Sequence, residues 1–159
     1  MSRPHLLISA AWLLNLAAWF LPVVTSVGGG KIGPPITGAV AFLMAVSAFW
    51  PGQFGTWYGA LLAGLSALTT VFFLVGSAWA VLRGTSRLQR SFAWIAAAAF
   101  LVNTHWYFRV TSNGWISGLG IGYFLWLLSF AVLAVGLFDL AGRNNAAKST
   151  HAQAALLPR

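Results

Sequence analysis

The stretch WYGALLAGLSALTTVFFLVGSAWAVLRGTSRLQR, residues 57–90, decides the fold. Its apolar part carries no charged side chain and is long enough to cross the ~30 Å hydrocarbon core of a bilayer as a tilted helix. It ends at three arginines, Arg83, Arg87 and Arg90. Because cytoplasmic loops of membrane proteins are enriched in Lys and Arg, we predict a transmembrane helix whose C-terminal end faces the cytoplasm.

Three more apolar stretches give the chain four predicted spans, at about 6–24, 57–82, 91–108 and 119–140. The composition agrees, because 59% of the residues are hydrophobic and only 6% are charged, against about 25% charged in an ordinary soluble domain. We therefore predict an all-α integral membrane protein. It would be a bundle of four transmembrane helices, forming a single domain over residues 1–141.

A fifth apolar stretch, residues 36–50, is about 22 Å long as a helix and stops at Pro51, so it is short for a full span. If it crossed the bilayer, the basic residues after it would lie opposite Arg3. If it stays in the outer interface or re-enters, most basic residues share the cytoplasmic side, and we predict this arrangement. The residues then inside are Arg3, Arg83, Arg87, Arg90, Arg143, Lys148 and Arg159, with Lys31 and Arg109 outside.

The segments between and after these helices are predicted to be irregular. Thr25 to Pro35 is rich in glycine and proline, which do not sustain a helix, so we expect a loop. Residues 142–159 are polar and rich in alanine, and we expect a mobile cytoplasmic tail. Both termini would then face the cytoplasm.

Residues 6–26 could instead be a cleaved secretory signal, because a basic start, an apolar core and small residues at Val24 and Ser26 follow that pattern. The apolar core is long for a signal, so we predict a retained helix. The positive-inside bias favours a bacterial cytoplasmic membrane. The nine tryptophans fit this topology, since most lie near a predicted membrane boundary, where indole rings are enriched.

Small residues at four-residue spacing predict close helix packing. In the second span these are Gly59, Ala63 and Ala67, with Gly64 beside them, and the pattern returns at Gly118 and Gly122. Asn15 lies near mid-membrane in the first span, where its amide needs a partner on another helix or in a ligand pocket. The packing could be internal to the bundle or could form an interface with another subunit.

Polar side chains collect at the outer end of the third span, where Asn103, His105 and Arg109 could bind an anionic headgroup or phosphate. The alternative is a polar helix end in contact with water and headgroups. Asp139, the only acidic residue, has Arg143 one turn later. We predict an ion pair that anchors the inner end of the fourth span.

Catalytic and metal sites are poorly supported by the sequence. There is no cysteine and no second carboxylate. His5 and His151 are predicted on the cytoplasmic side and His105 outside, so we predict no metal site. Nucleic acid is not an expected partner either, because the basic residues are dispersed among loops and form no stripe.

We therefore predict a non-enzymatic, tryptophan-rich membrane protein. It would act as an accessory or structural subunit that contacts the lipid bilayer and binds another membrane protein or a second copy of itself. A small oligomeric transporter or channel component is the alternative. An interfacial enzyme acting on lipid, with His105 and Arg109 at its centre, is a third hypothesis.

Overall fold

The computed structural model describes residues 2–28, 31–32, 34–50, 52, 56–108 and 116–154. These residues are mostly helical, with a small antiparallel sheet. The helices are α1 (Arg3–Phe20), α2 (Gly38–Val46), α3 (Trp57–Arg83), α4 (Ser86–Asn103) and α5 (Ile121–Ala154). The strands are β1 (Pro22–Gly28), β2 (Lys31–Ile32), β3 (Ile36–Thr37) and β4 (Ile116–Leu119).

The helix ends follow local sequence chemistry. Pro22 disfavours helical backbone at Leu21, which is extended, so α1 ends at Phe20 and not at Val24 as predicted. The hydroxyl of Thr85 accepts a hydrogen bond from the backbone N–H of Leu88 at 3.3 Å and caps α4. The third predicted span, 91–108, therefore begins earlier, at Ser86, and its regular helix ends at Asn103.

The long helices pack as antiparallel neighbours. The side chain of Asn15 on α1 contacts that of Ser129 on α5, while Ile8 lies beside Gly136. Since the two sequences run in opposite directions along this contact, α1 and α5 are antiparallel. Hydrogen bonds between Gln89 and Asn144 and between Tyr123 and Asn103 show the same relation between α4 and α5.

Helix α3 packs antiparallel to α4, with Gln89 of α4 bonded to the carbonyl of Ala80 and Asn103 bonded to Ser66. One end of the helical body, which we call the arginine end, therefore carries Arg3, Arg83, Arg87, Arg90 and Arg143. The other end, where α1 ends and α5 begins, is the sheet end.

Aromatic rings surrounded by alanines form the core. The rings of Phe73 and Phe130 are both fully buried and pack edge to face, 5.3 Å apart. Trp12 packs on Phe73 from α1 at 5.8 Å. Alanines at this depth let the helices approach closely around the rings. The fully buried alanines are Ala11, Ala80, Ala93, Ala96 and Ala141.

The structure continues α3 through a π-helical segment, Phe72–Gly76, between α-helical parts Trp57–Val71 and Ser77–Arg83. The ring of Phe72 stacks on Phe92 of α4 at 5.1 Å. A side chain at Gly76 would collide with Phe92. The extra residue in the π turn thus lies where α3 packs on α4 through Phe92.

The prediction of a loop from Thr25 to Pro35 is wrong for residues 25–28 and 31–32, which form strands, whereas Pro34 and Pro35 lie outside regular secondary structure. β1 is the central strand, and Val24 pairs with Ile36 of β3 and with Leu119 of β4, so these two strands lie on opposite edges. β2 continues the pairing at Val27 and Gly28. The β-branched residues of β1 favour extended backbone, and pairing satisfies backbone groups that a buried loop would leave without partners.

The short apolar stretch 36–50 forms β3, then α2, then a 3-10 turn at Ser47–Phe49. Gly38 packs against the backbone of Ala18, and the ring of Phe42 lies 5.2 Å from that of Trp19. The ring of Phe49 lies beside Gly64, two turns into α3. None of the residues of α2 is buried.

Within the described ranges, two helices are long and apolar enough to cross a membrane, Trp57–Arg83 and Ile121–Ala147, with mean hydropathy 1.9 and 2.2 in their most apolar windows. They correspond to the second and fourth predicted spans. The fourth helix begins at Ile121, because Leu119 is in β4, and it continues to Ala154 through most of the predicted tail. The all-α prediction is thus confirmed in part, since the chain is mostly helical but also contains a sheet.

Candidate functional site

A cavity of about 360 Å³ lies at the sheet end, and we call it the sheet-end cavity. Strands β1, β3 and β4 contribute Val23, Val24, Ile36 and Leu119 to its lining. Helix α2 closes a second side, with Ala41, Phe42, Met44 and Ala45. The remaining wall comes from α1, α3, α5 and Trp106.

As far as the described residues go, the lining of the sheet-end cavity is almost entirely apolar and contains no charged side chain. Small residues of α3, Ala63 and Ala67, leave the space that the cavity occupies. Three tryptophans, Trp19, Trp106 and Trp126, supply much of the wall. An apolar, partly enclosed volume of this size falls within the ~300–1,000 Å³ range of small-molecule sites.

A hydrogen-bond network around Asn103 forms one wall. The hydroxyl of Ser66 donates to Asn103 Oδ1 at 2.8 Å and accepts from Trp106 Nε1 at 2.9 Å. Asn103 Nδ2 donates to Thr69 Oγ1 at 2.9 Å and to the carbonyl of Ala99 at 2.8 Å. The amide of Asn103 is therefore fully committed inside the protein.

Tyr123 extends this network from α5, because its hydroxyl donates to the backbone carbonyl of Asn103 at 2.9 Å. Thr70, which also lines the cavity, donates to the carbonyl of Ser66 at 3.0 Å. The network fixes α3, α4 and α5 relative to one another at the edge of the cavity.

A second network holds α1 to α5. Asn15 is buried, donates from Nδ2 to Ser129 Oγ at 3.1 Å and accepts at Oδ1 from Trp19 Nε1 at 3.2 Å. Ser129 in turn donates to the carbonyl of Trp126 at 2.6 Å. Asn15 itself does not line the cavity, whereas Trp19 and Trp126 do.

The small residues predicted to mediate helix packing lie inside the molecule, apart from Gly118. Gly59, Ala63, Gly64 and Ala67 are buried on α3. Gly122 is buried where α5 meets the chain after α1, and a Cβ there would lie 2.8 Å from the carbonyl oxygen of Leu21. Gly118 lies in β4 and pairs with Thr25, because the strand extends to Leu119 before the helix begins.

The predicted headgroup cluster is only partly placed. Asn103 points into the network described above and so is unsuited to contact a headgroup. His105 lies in a helical turn at 105–108, with Nδ1 2.6 Å from the carbonyl oxygen of Val102 and its ring 4.6 Å from that of Trp106. Arg109 is outside the described residues.

At the arginine end, Arg143 Nε lies 3.2 Å from Asp139 Oδ1, one helical turn apart on α5. Gln89 donates to the carbonyls of Ala80 and Gly84 and accepts from Asn144 Nδ2 at 2.9 Å. This closes the turn between α3 and α4 against α5.

Metal-ligating side chains are not clustered in the part of the chain that the structure describes, where no three His, Asp or Glu residues come together. His5 bonds to the hydroxyl of Ser2 at 2.6 Å at the arginine end, while His105 is at the sheet end.

Comparison of the chain with protein-family models, curated proteins and solved structures gave no match.

Sequence reasoning missed the cavity and most of its polar neighbours. Ser66, Thr69, Thr70 and Ser129 stand singly or in pairs within apolar stretches, and hydroxyls in such places commonly bond across helices. That signal was available for each residue. The sequence does not show which helix supplies the partner, because this depends on the rotation of each helix about its axis.

Proposed function

We propose that the protein is an integral membrane protein that binds an apolar molecule from the outer leaflet in the sheet-end cavity. The main support for this proposal is the cavity itself, which has a volume of about 360 Å³ and an apolar lining. An apolar cavity of ~150 Å³ already admits benzene, so this one is suited to a larger hydrocarbon group. Helix α2 forms one side of the cavity, and we propose that a lipid chain enters the cavity from the bilayer on this side.

Exposure of large apolar side chains on every helix supports membrane insertion. Leu13 on α1, Leu43 on α2, Leu82 on α3, Leu101 on α4 and Val135 on α5 are 54 to 81% exposed. Soluble proteins rarely expose apolar patches larger than a few hundred Å². A bilayer would cover these surfaces, and we propose that α1, α3, α4 and α5 all span it.

The distribution of charge supports an orientation. Five arginines lie at the arginine end, and the positive-inside rule puts that end in the cytoplasm, with both termini. Helix α2 with its 3-10 turn is about 18 Å long, too short to cross, and it runs beside α1 and α3 from the sheet end. We propose that it re-enters the outer leaflet and that the membrane is a bacterial inner membrane.

Cavity binding is tested by filling the cavity from α2. Ala41→Phe places a ring into the lining, whereas Val40→Phe adds the same ring to the neighbouring, exposed position. Both variants and the wild type are purified from native membranes in mild detergent, and bound lipids are extracted and quantified by mass spectrometry. We expect a stoichiometric lipid with the wild type and Val40→Phe and its loss with Ala41→Phe. Equal lipid content in all three would overturn the proposal.

A second proposal is the accessory subunit predicted from the sequence. The small-residue stripe of α3 is used inside the molecule, so it does not support this function. Helix α2 does, because it buries no residue and exposes Val40 and Leu43. A photo-crosslinking amino acid at position 43 should capture one protein in defined amount from intact cells; capture of lipid alone would contradict the accessory role.

The transporter hypothesis gains less support. Asn15, Asn103 and Asp139 belong to three separate groups of contacts, with Ser129, Ser66 and Arg143 respectively. Side chains that line one aqueous path would be expected to face a common space, and three separate groups of contacts do not support such a path. The absence of enzymatic activity stays a prediction.

A further inference from the structure

We infer that the ligand of the sheet-end cavity carries a neutral carbonyl group that accepts a hydrogen bond from the indole N–H of Trp126. This inference rests on the proposed function, because it names the chemistry of the molecule that the cavity would hold. It comes from the hydrogen-bonding state of each polar group in the lining.

The three tryptophans of the cavity differ in one respect. The N–H of Trp19 donates to Asn15, and the N–H of Trp106 donates to Ser66. Within the part of the chain that the structure describes, the N–H of Trp126 has no acceptor, and it is not one of the fully buried polar atoms that lack a partner. An indole N–H in an apolar site is unfavourable without a partner, so a ligand acceptor there would stabilise the complex.

The other polar groups of the lining are already engaged. The hydroxyls of Ser66, Thr70 and Tyr123 all donate to oxygens of the protein. Trp126 is therefore the available donor among the described lining residues. A ligand with one acceptor near the end of an apolar chain would match this single donor.

The charge of the lining indicates that the acceptor is neutral. Among the described residues, no Lys, Arg or His lines the cavity. A carboxylate or phosphate buried there would lose its hydration without gaining a cation, which is strongly unfavourable. A carbonyl accepts the same hydrogen bond at a much smaller desolvation cost.

Two membrane components carry this chemistry, an isoprenoid quinone and the ester of an acyl lipid. The test therefore uses three probes of similar chain length: a decyl-substituted benzoquinone, a fatty acid methyl ester and an alkane. Apparent affinities for the detergent-purified protein are obtained from the rise in unfolding temperature during titration. We expect one or both carbonyl probes to bind more tightly than the alkane by roughly two- to tenfold, the contribution of one hydrogen bond.

Trp126→Phe should remove that preference while leaving alkane binding within about twofold of the wild type. Trp19→Phe is the matched control, because it changes another tryptophan of the same lining whose N–H is engaged with Asn15; the carbonyl preference should persist. The probe that binds more tightly identifies the source of the carbonyl.

The outcomes separate this inference from the proposal beneath it. If Ala41→Phe abolishes binding of every probe but the wild type shows no carbonyl preference, or Trp126→Phe retains it, cavity binding stands and the inference is overturned. If Ala41→Phe leaves the binding of all probes unchanged, the cavity is not the binding site and the proposed function itself fails. The wild-type comparison holds even when a tryptophan variant does not fold.

Discussion

The amide of Asn103 makes hydrogen bonds to Ser66 and Thr69 of α3 and to the carbonyl of Ala99, and its own backbone carbonyl accepts from Tyr123 of α5. One residue therefore links three helices. The sequence predicted Asn103 at a polar, headgroup-facing helix end. Its side chain instead faces the interior, because α4 is rotated so that Asn103 follows the buried stripe of Ala93, Ala96 and Ala99.

Substituting Asn103→Ala should destabilise the protein by about 1–3 kcal/mol, because Ser66 and Thr69 would lose a buried partner. The free energy of unfolding can be measured in detergent micelles by titration with a denaturing detergent. Asn145→Ala, at an exposed position of α5, is the control and should change stability by less than about 0.5 kcal/mol. Equal effects of the two substitutions would show that the network contributes nothing.

Two glycines of α5 should respond in opposite directions to alanine. A Cβ at Gly122 would lie 2.8 and 2.9 Å from the backbone oxygens of Leu21 and Pro22, whereas a Cβ at Gly142 would meet nothing within 4 Å. We expect Gly122→Ala to destabilise by about 1–3 kcal/mol through overpacking. Gly142→Ala should stabilise the helix by about 0.5–1 kcal/mol, because alanine loses less backbone entropy. The same unfolding titration measures both, and a stable Gly122→Ala would mean that α5 is free to move away from β1.

At the scale of elements, the contact between α1 and α5 includes a buried hydrogen bond from Asn15 to Ser129. A double-mutant cycle with Asn15→Leu and Ser129→Ala should give a coupling free energy of about 0.6 kcal/mol, and at most ~1.7 kcal/mol, the range found for hydrogen bonds between helices in bilayers. The control cycle pairs Asn15→Leu with Ser91→Ala, a change at an exposed residue of α4. These two should be additive within ~0.5 kcal/mol, and similar coupling in both cycles would argue against a direct bond.

The sequence predicts the existence of the long helices well and their ends less well. Apolar length identified the second and fourth helices, and basic residues marked the turn before α4. The ends differ where local chemistry acts, as at Pro22, which ends α1, and at Thr85, which starts α4. The sheet was missed because β2, β3 and β4 are two to four residues long, and their pairing depends on contacts far apart in the chain.

The candidate site was less predictable than the helices. Most of the nine tryptophans were predicted near a membrane boundary, yet nothing in the spacing of Trp19, Trp106 and Trp126 shows that they share a cavity. Hydropathy reports how apolar each segment is, whereas a cavity depends on how the segments fail to fill the space between them. Ala63 and Ala67 illustrate the limit, since the same small side chains fit close packing and empty volume equally well.

On the scale of the whole molecule, the proposed topology can be tested with single cysteines, since the natural chain has none. In intact bacteria, a membrane-impermeant maleimide should label Thr56→Cys at the sheet end but not Asn145→Cys near the arginine end. After permeabilisation both should react. Val135→Cys, on the exposed apolar face of α5, is the buried-in-lipid control and should stay unlabelled in both conditions. Labelling of Asn145→Cys in intact cells would contradict the proposed cytoplasmic location of the arginine end.

The pairing of β1 with β4 has a consequence for how the molecule is made. β1 leaves the ribosome directly after the first helix, but its partner precedes the last helix, so the edge of β1 that meets β4 must wait through the synthesis of α2, α3 and α4. During that interval the lining of the cavity lacks Leu119, Tyr123 and Trp126. Ligand binding would thus become possible only when the final helix arrives, which would make occupancy a marker of a finished chain.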